Sequence, residues 1–260
     1  MKQFLLSILI LYSAYSSNGQ DISWINRYSN NTSYLMPMKK WESGLFQPLR
    51  YGYSTKMELS SNILIFPLLP NLGCKISVGE YAGFRLASEH ILSIPSVLLN
   101  TISRKGTGGL ISPEFDFPFT LGFNNSIIAS HPIFHSALLN LKAGFAFALR
   151  TGKIDPMATI DLPVFFPRMA HYYKGVSLRL GSGIRGEIFS NLLYDESVQA
   201  FILTRKNENF TIENTGSLMW TPGKRIRIKG GYILTYGKYP FGKLWQLWPT
   251  FDFMFGSKTK

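Results

Sequence analysis

The residue types of a hydrolytic site occur in this chain, but their spacing does not assemble one. Serine, glutamate and histidine are adjacent at Ser88, Glu89 and His90, and further candidates are His131, His135, Ser136 and His171. A Ser–His–carboxylate mechanism needs all three groups on one surface. Adjacent residues of a strand point to opposite faces, so Ser88 and His90 cannot converge with Glu89. No G-x-S-x-G turn is present. The sequence therefore predicts no catalytic residues and a protein that is not an enzyme.

Metal and cofactor chemistry is not indicated either. His131 and His135 are four residues apart, but Pro132 opposes the helix that would align them. The glycine-rich run at 106–109 lacks the flanking residues of a phosphate loop. Cys74 is the only cysteine, which excludes an internal disulfide. We predict no metal and no cofactor.

Basic residues are the most frequent charged groups, with 27 Lys and Arg against 15 Asp and Glu. Many of them share the polar parity of segments that alternate apolar and polar residues: Arg50, Lys56, Lys142, Arg150, Arg179, Arg185, Arg225, Arg227 and Lys229. If that parity faces a lumen, the lumen is basic, and rings of Arg and Lys favour anions in pores. A solvated lumen with scattered ion pairs is the alternative interpretation.

Strands are the elements that would position these residues. Apolar and polar side chains alternate over strand-length runs, most clearly from Leu139 to Arg150, from Lys224 to Tyr236 and from Trp245 to Phe255. A period of two places each set on one face of a strand. Leu49–Ser60 and Leu72–Ser88 are each interpreted as one strand. Aromatic residues make up 15% of the chain and charged residues 16%, which is typical of strands with bulky outer faces.

The N-terminus predicts export. Lys2 precedes the apolar stretch Phe4–Leu11, and small residues follow at 17–19. This pattern is that of a secretory signal peptide, and the apolar run is too short to span a bilayer. We predict a signal peptide at 1–19, an N-terminal segment with a possible first strand at 20–48, a β-barrel at 49–256 and a tail at 257–260. Export argues against a nucleic-acid partner.

The connections between strands predict the topology. Pro95–Arg104 is expected to form a short helix within a loop. The runs His90–Glu114 and Gly152–His171 are long enough for outer loops, which could fold over the mouth of a barrel or bind a partner, while Asn124–Leu138 is a long inner turn. We predict an all-β, antiparallel, up-and-down transmembrane barrel of about ten strands, with eight as the alternative.

The aromatic last strand carries a resemblance to a known class. Its apolar residues Trp245, Phe251, Phe253 and Phe255 would face the membrane, and the strand looks like the C-terminal signal read by the barrel assembly machinery. On this strand and on the whole pattern, the mature chain resembles small bacterial outer-membrane β-barrel proteins. The resemblance implies residence in the cell outer membrane, with outer-membrane lipid and the assembly machinery as partners.

The sequence thus favours a porin-like outer-membrane barrel that is structural, or that binds or passes a small anionic or amphipathic molecule through a basic lumen. A lipid-modifying barrel enzyme that uses Ser88 or His90 is the first alternative. A soluble periplasmic lipid-binding barrel, with the same apolar faces turned inward, is the second.

Overall fold

The computed structural model describes residues 24–25, 28–103, 115–134, 136–155, 158–204, 210–240 and 242–258. The predicted signal peptide and His135 lie outside the described residues. Within the described part, no helix is long and apolar enough to cross a membrane.

Twelve strands form one closed ring in which each strand is antiparallel to both of its neighbours. They are β1 (Trp41–Gly44), β2 (Leu49–Gly52), β3 (Met57–Ser61), β4 (Asn71–Tyr81), β5 (Phe84–Ser93), β6 (Thr120–Phe134), β7 (Ala137–Arg150), β8 (Ser177–Phe189), β9 (Leu192–Leu203), β10 (Phe210–Trp220), β11 (Ile226–Tyr239) and β12 (Gly242–Gly256). Pairing of β12 with β1 closes the ring. The predicted antiparallel barrel is confirmed.

The predicted number of strands, ten or eight, is wrong. The run Leu49–Ser60 is not one strand but β2 and β3 joined by a turn, and Leu72–Ser88 is shared between β4 and β5. A tight turn at Ala82 and Gly83, both at positive φ, separates β4 from β5. The strand β1 lies within the segment 20–48, where a possible first strand was predicted, so the two divided runs account for the rise from ten to twelve strands. Alternation does not mark the break between β2 and β3, because Arg50 and Glu58 keep the same parity across the turn and both face the lumen.

Helices occur in two of the connections. α1 (Ser96–Ile102) lies between β5 and β6, which confirms the predicted short helix in a loop. Between β7 and β8, α2 (Phe166–Met169) leads directly into a 3-10 turn at Ala170–Tyr172.

The three longest connections lie at the same end of the barrel. The connections 62–70, 94–119 and 151–176 lie at one end, and the turns 82–83, 135–136, 190–191 and 221–225 lie at the other. The predicted long inner turn at Asn124–Leu138 is wrong, because β6 continues to Phe134. A bulge between Pro132 and Phe134 accommodates the proline, which cannot donate a ladder hydrogen bond.

The two faces of the wall differ in polarity. Residues of the outer face are large, apolar and exposed, among them Leu92, Phe119, Ile127, Phe145, Leu149, Leu178, Leu180, Ile184, Val198, Ile212, Leu218, Leu247, Phe251 and Phe253. The inner face carries Ser, Thr, Gly and charged residues, together with apolar residues near both ends, among them Leu138, Leu193, Met219, Leu203 and Tyr239. An exterior that is apolar over most strands is the arrangement of a membrane barrel.

Candidate functional site

The N-terminal segment fills the lower lumen, at the end with the short turns. Its described residues 24–25 and 28–36, called the plug here, place Trp24, Ile25 and Tyr28 against Leu138, Leu193, Met219 and Met254 of the wall. Trp24 and Tyr28 are each 1% exposed. The barrel is therefore closed at this end by its own chain.

Charged residues of the lower wall form a network of ion pairs, in which three cations share the carboxylates of Glu42 and Glu58. The Arg50 guanidinium donates to both carboxylate oxygens of Glu58 at 2.7 Å and to Glu42 at 2.5 Å. Arg227 donates to the other oxygen of Glu42 at 2.8 Å. Lys75 lies 3.5 Å from Glu58 and donates to backbone carbonyls of the plug. Breaking such a buried pair leaves an uncompensated charge, so this network holds the plug and the wall together.

Further up, basic side chains are again partnered. Arg185 pairs with Asp195, donates to the carbonyl of Asn30 and lies over the ring of Tyr28, 4.2 Å from its centroid. Lys229 donates to the Tyr28 hydroxyl at 3.0 Å. Lys142, on β7, pairs with Glu89 at 2.6 Å. These predicted lumen residues lie inside the barrel, where Arg185 and Lys142 each have a carboxylate partner and Lys229 has a tyrosine hydroxyl.

The connection 151–176 closes the upper lumen. Its described part 158–174, called the cap here, buries Ile160, Phe166 and Tyr172 in a cluster with Leu99, Phe117, Leu203 and Tyr239. Arg168 of the cap donates to both oxygens of Glu213 on β10 at 2.5 Å. The Tyr172 hydroxyl lies 2.9 Å from that of Ser93. Gly122 permits this packing, because a Cβ there would lie 2.3 Å from the Tyr172 ring.

Between plug and cap, the wall is lined by small polar residues that are only half-buried. They are Asn124, Gly144, Gly181, Gly183, Ser197, Gln199, Thr215, Ser217, Gly231 and Thr250, and each shares the inward parity of its strand. Since they remain partly accessible while the residues above and below are buried, side chains do not fill the lumen at this level. We call this space the chamber.

Arg179 is a lumen cation with few polar contacts. It projects from β8 at the level between cap and chamber, and no carboxylate of the described residues forms an ion pair with it. Its Nη2 makes one long hydrogen bond, 3.5 Å, to the carbonyl of Arg168, and its buried Nε has no hydrogen-bond partner in the described part. Phe201 flanks the guanidinium, with its ring centroid 5.6 Å away.

His171 lies beside this cation, within the cap. Its ring stacks on Tyr172, with centroids 4.0 Å apart, and it is 3% exposed. Burial, reinforced by the positive charge of Arg179, lowers the pKa of His171 to about 3. The imidazole is therefore neutral at neutral pH.

The other predicted basic residues lie at the barrel ends. Lys56 and Arg225 are exposed in the turns that precede β3 and β11. Arg150 is exposed at the upper end and donates to the carbonyl of Tyr173 at 3.3 Å. It lines an open pocket of about 590 Å³ together with Gly152, Lys153, Ile154, Asp155, Tyr173 and Lys174.

The structure does not bring the candidate catalytic residues together. Ser88 and His90 have the outward parity of β5, while Glu89 faces the lumen and pairs with Lys142. His131 contacts the carbonyl of Gly83 at 2.8 Å at the turn end of the barrel. No group of three or more His, Cys, Asp or Glu residues in the described part could hold a metal ion.

On the last strand, the residues predicted to face the membrane are exposed on the outside of the barrel. Trp245 is 68% exposed and Phe251 59%, and Phe253 and Phe255 follow on the same parity. Buried Asp252 and Met254 alternate with them on the inner side.

Sequence reasoning missed the plug, the cap contacts and the acidic partners of the cations. The plug and cap are irregular, so no periodic signal marks them. Glu58 and Arg50 have the same parity on neighbouring strands, and that signal could have predicted their pairing.

The class that the fold and the lumen define is an outer-membrane-type antiparallel β-barrel closed at both ends by its own chain. The structure is similar to the outer membrane channel DcaP of Acinetobacter baumannii, at 10% identity and a TM-score of 0.35 over 82% of this chain and 61% of that chain. It is also similar to a bacterial polysaccharide outer membrane secretin, at 7% identity and a TM-score of 0.45 over 84% and 70% of the two chains.

A Pseudomonas aeruginosa FadL homologue is a further similar structure, at 9% identity and a TM-score of 0.36 over 85% of this chain and 68% of that chain. The chain spans 61% of the length of the DcaP channel. No protein-family model and no curated protein matches the sequence.

Proposed function

We propose that this protein resides in the outer membrane and binds a small amphipathic molecule in the chamber, and that it is not an open diffusion pore. The observation that carries the proposal is the partly accessible polar chamber enclosed between a buried plug and a buried cap. Passage of a molecule along the barrel axis then requires the cap or the plug to move.

The outer face supports the membrane location. Large apolar side chains cover it from β5 to β12, with Leu180 54% exposed and Leu247 65% exposed. In water an apolar surface of this extent would associate or aggregate. A soluble lipid-binding barrel would line its cavity with apolar residues, whereas small polar residues line this chamber, so the geometry favours the membrane barrel over that alternative.

Neutralisation of the lumen charges weakens the interpretation as an anion-selective path. Arg50, Arg227 and Arg185 each have a carboxylate partner within the lumen. Binding of an amphipathic molecule next to Arg179, which forms no ion pair with a described carboxylate, fits the chamber better than conduction past rings of free charge. The alternative of a lipid-modifying enzyme loses its candidate residues, because Ser88 and Glu89 lie on opposite faces of β5.

Planar-bilayer recording of the full mature chain tests the proposal. We expect little steady conductance from the wild type and frequent openings from Tyr28→Ala, since Tyr28 packs under Arg185 and accepts the Lys229 hydrogen bond. Tyr53→Ala is the matched control, because Tyr53 is 62% exposed outside the lumen. A stable, open, anion-selective conductance of the wild type would overturn the proposal.

A further inference from the structure

In one sector of the barrel wall the strands are much shorter than in the rest. β1, β2 and β3 have 4, 4 and 5 residues, whereas β11 and β12 have 14 and 15. At about 3.3 Å per residue, a strand of four residues covers roughly 13 Å along its axis. That is about half of the roughly 25 Å apolar band of a membrane barrel. The wall at β1–β3 therefore leaves a gap toward the bilayer, called the window here.

One side of the window is the edge of β12. This strand pairs with β11 from Gly242 to Phe255, but with β1 only from Met254 to Gly256. No other described strand pairs with the upper part of β12. Open strand edges are not stable against lipid tails and occur at membrane depth only where they are buried in protein or line a water-filled cavity. The upper edge of β12 therefore borders the window without a described strand beside it.

The floor of the window is fixed by Asp252. Its carboxylate accepts hydrogen bonds from the backbone amides of Leu45, Phe46 and Gln47, at 2.8, 3.1 and 3.0 Å. These amides belong to the β1–β2 turn. Gly44 makes this approach possible, because a Cβ there would lie 2.5 Å from a carboxylate oxygen. These hydrogen bonds fix the β1–β2 turn beside the lower part of β12.

The opposite side is an apolar segment with turns of its own. Residues 62–70 form turns, with the Phe66 amide donating to Ile63 at 3.2 Å and the Leu69 amide donating to Ile65 at 2.7 Å. Ile63 is 55% exposed and Phe66 47%. This rim presents hydrocarbon, and no free strand edge, to whatever lies in the window.

Behind the window, the inner face of β12 carries two large apolar residues that are accessible. Trp248 and Leu244 have the inward parity of Asp252, yet each is 43% exposed. In a ring of twelve strands, β7 and β8 lie opposite β1 and β2. Arg179 on β8 is therefore across the lumen from the window, with a buried Nε that has no hydrogen-bond partner among the described residues.

We propose that the window admits an amphiphile from the surrounding bilayer, a single acyl chain with an anionic head, whose chain lies along Trp248 and Leu244 and whose head pairs with Arg179. This inference rests on the proposed function and specifies its ligand and route. The outer apolar face is continuous with the window, which provides a route from the bilayer. Arg179, on the opposite side of the lumen, provides a positive charge for the anionic head.

Brominated lipids, which quench tryptophan on contact, test the route. Single-tryptophan variants of the full mature chain retain Trp248, Trp24 or Trp245 and are placed in phosphatidylcholine nanodiscs brominated on the acyl chains. We expect quenching of Trp248 and of the outward-facing Trp245, and none of Trp24, which lies in the plug. A Trp248 that is spared while Trp245 is quenched would overturn lateral admission.

Titration with 9,10-dibromostearate tests the head group. In the variant that retains Trp248, we expect saturable quenching, a half-saturating concentration at least about tenfold higher after Arg179→Gln, and no change after Arg225→Gln. The neutral methyl ester should bind about as weakly to wild type as the acid binds to R179Q. Equal binding of acid and ester, or no effect of R179Q, would overturn the role of Arg179. Failure of the proposed function would appear separately, as an open conductance.

Discussion

Two arginines of the lumen, Arg50 and Arg179, differ in whether a carboxylate neutralises them. Arg50, in the lower lumen, is 2% exposed and matched by two carboxylates, Glu42 and Glu58. Arg179, higher on the opposite side, has only a 3.5 Å hydrogen bond to a backbone carbonyl. The matched cation holds the plug in place, and the unmatched one is available to a ligand. Charge count alone therefore does not describe the lumen; the pairing of each charge does.

The largest effect is expected from removal of a charge in the matched region. Glu58→Gln leaves Arg50 and Lys75 with an uncompensated positive charge and should lower the free energy of unfolding by about 3–5 kcal/mol. Urea unfolding in lipid vesicles measures it. Arg179→Gln is the comparison and should change stability by less than about 1 kcal/mol, because no ion pair is lost. Equal losses of unfolding free energy in the two variants would show that the ion pairs of Arg50 do not distinguish it from Arg179.

The next effect separates the outer face from the chamber. Leu180→Arg places a charge on the apolar exterior, where it should cost roughly 2–4 kcal/mol and impair insertion. Gln199→Arg, on the neighbouring strand but facing the chamber, should insert normally. Folding yield in vesicles, followed by the heat-dependent mobility shift, measures both. Normal insertion of L180R would contradict the assignment of the faces.

The cap gives a smaller, pH-dependent effect. The folded-state pKa of His171, about 3, lies below the ordinary 6.5, so the unfolded chain takes up a proton that the folded chain does not. The neutral imidazole therefore contributes to the free energy of unfolding above pH 6.5. This contribution decreases as the pH falls, by up to about 2 kcal/mol between pH 7 and pH 5. His171→Gln should flatten this dependence, and His90→Gln should keep it. An unchanged slope in H171Q would show that another group causes it.

The smallest effect concerns the floor of the window. Asp252→Asn keeps one acceptor oxygen but loses its charge, so the three amides of the β1–β2 turn are bound more weakly, at a cost of about 1 kcal/mol. Hydrogen exchange at Leu45, Phe46 and Gln47 should accelerate, while Gly231 and its neighbours on β11 stay protected. Unchanged exchange at the turn would mean that Asp252 does not hold it.

The long strands were predictable from sequence because each carries enough residues for alternation to show on both faces, as in Leu139–Arg150 and Trp245–Phe255. The boundary between β2 and β3 was not predictable, because the alternation of Leu49–Ser60 keeps its parity across the turn, and β1 was expected only as a possible strand within 20–48. The ion pairs depend on register. Arg227 and Glu42 are 185 residues apart in sequence and meet only through closure of the ring by β12 and β1. Irregular segments such as the plug carry no periodicity, so their place in the lumen depends on tertiary packing.

A closed barrel whose apolar face contacts the outer membrane can be detected by cell fractionation combined with electrophoresis of heated and unheated samples. We expect recovery of the mature chain in the outer-membrane fraction, with a mobility that shifts on boiling. Recovery in the soluble fraction without detergent, and with no shift, would contradict it.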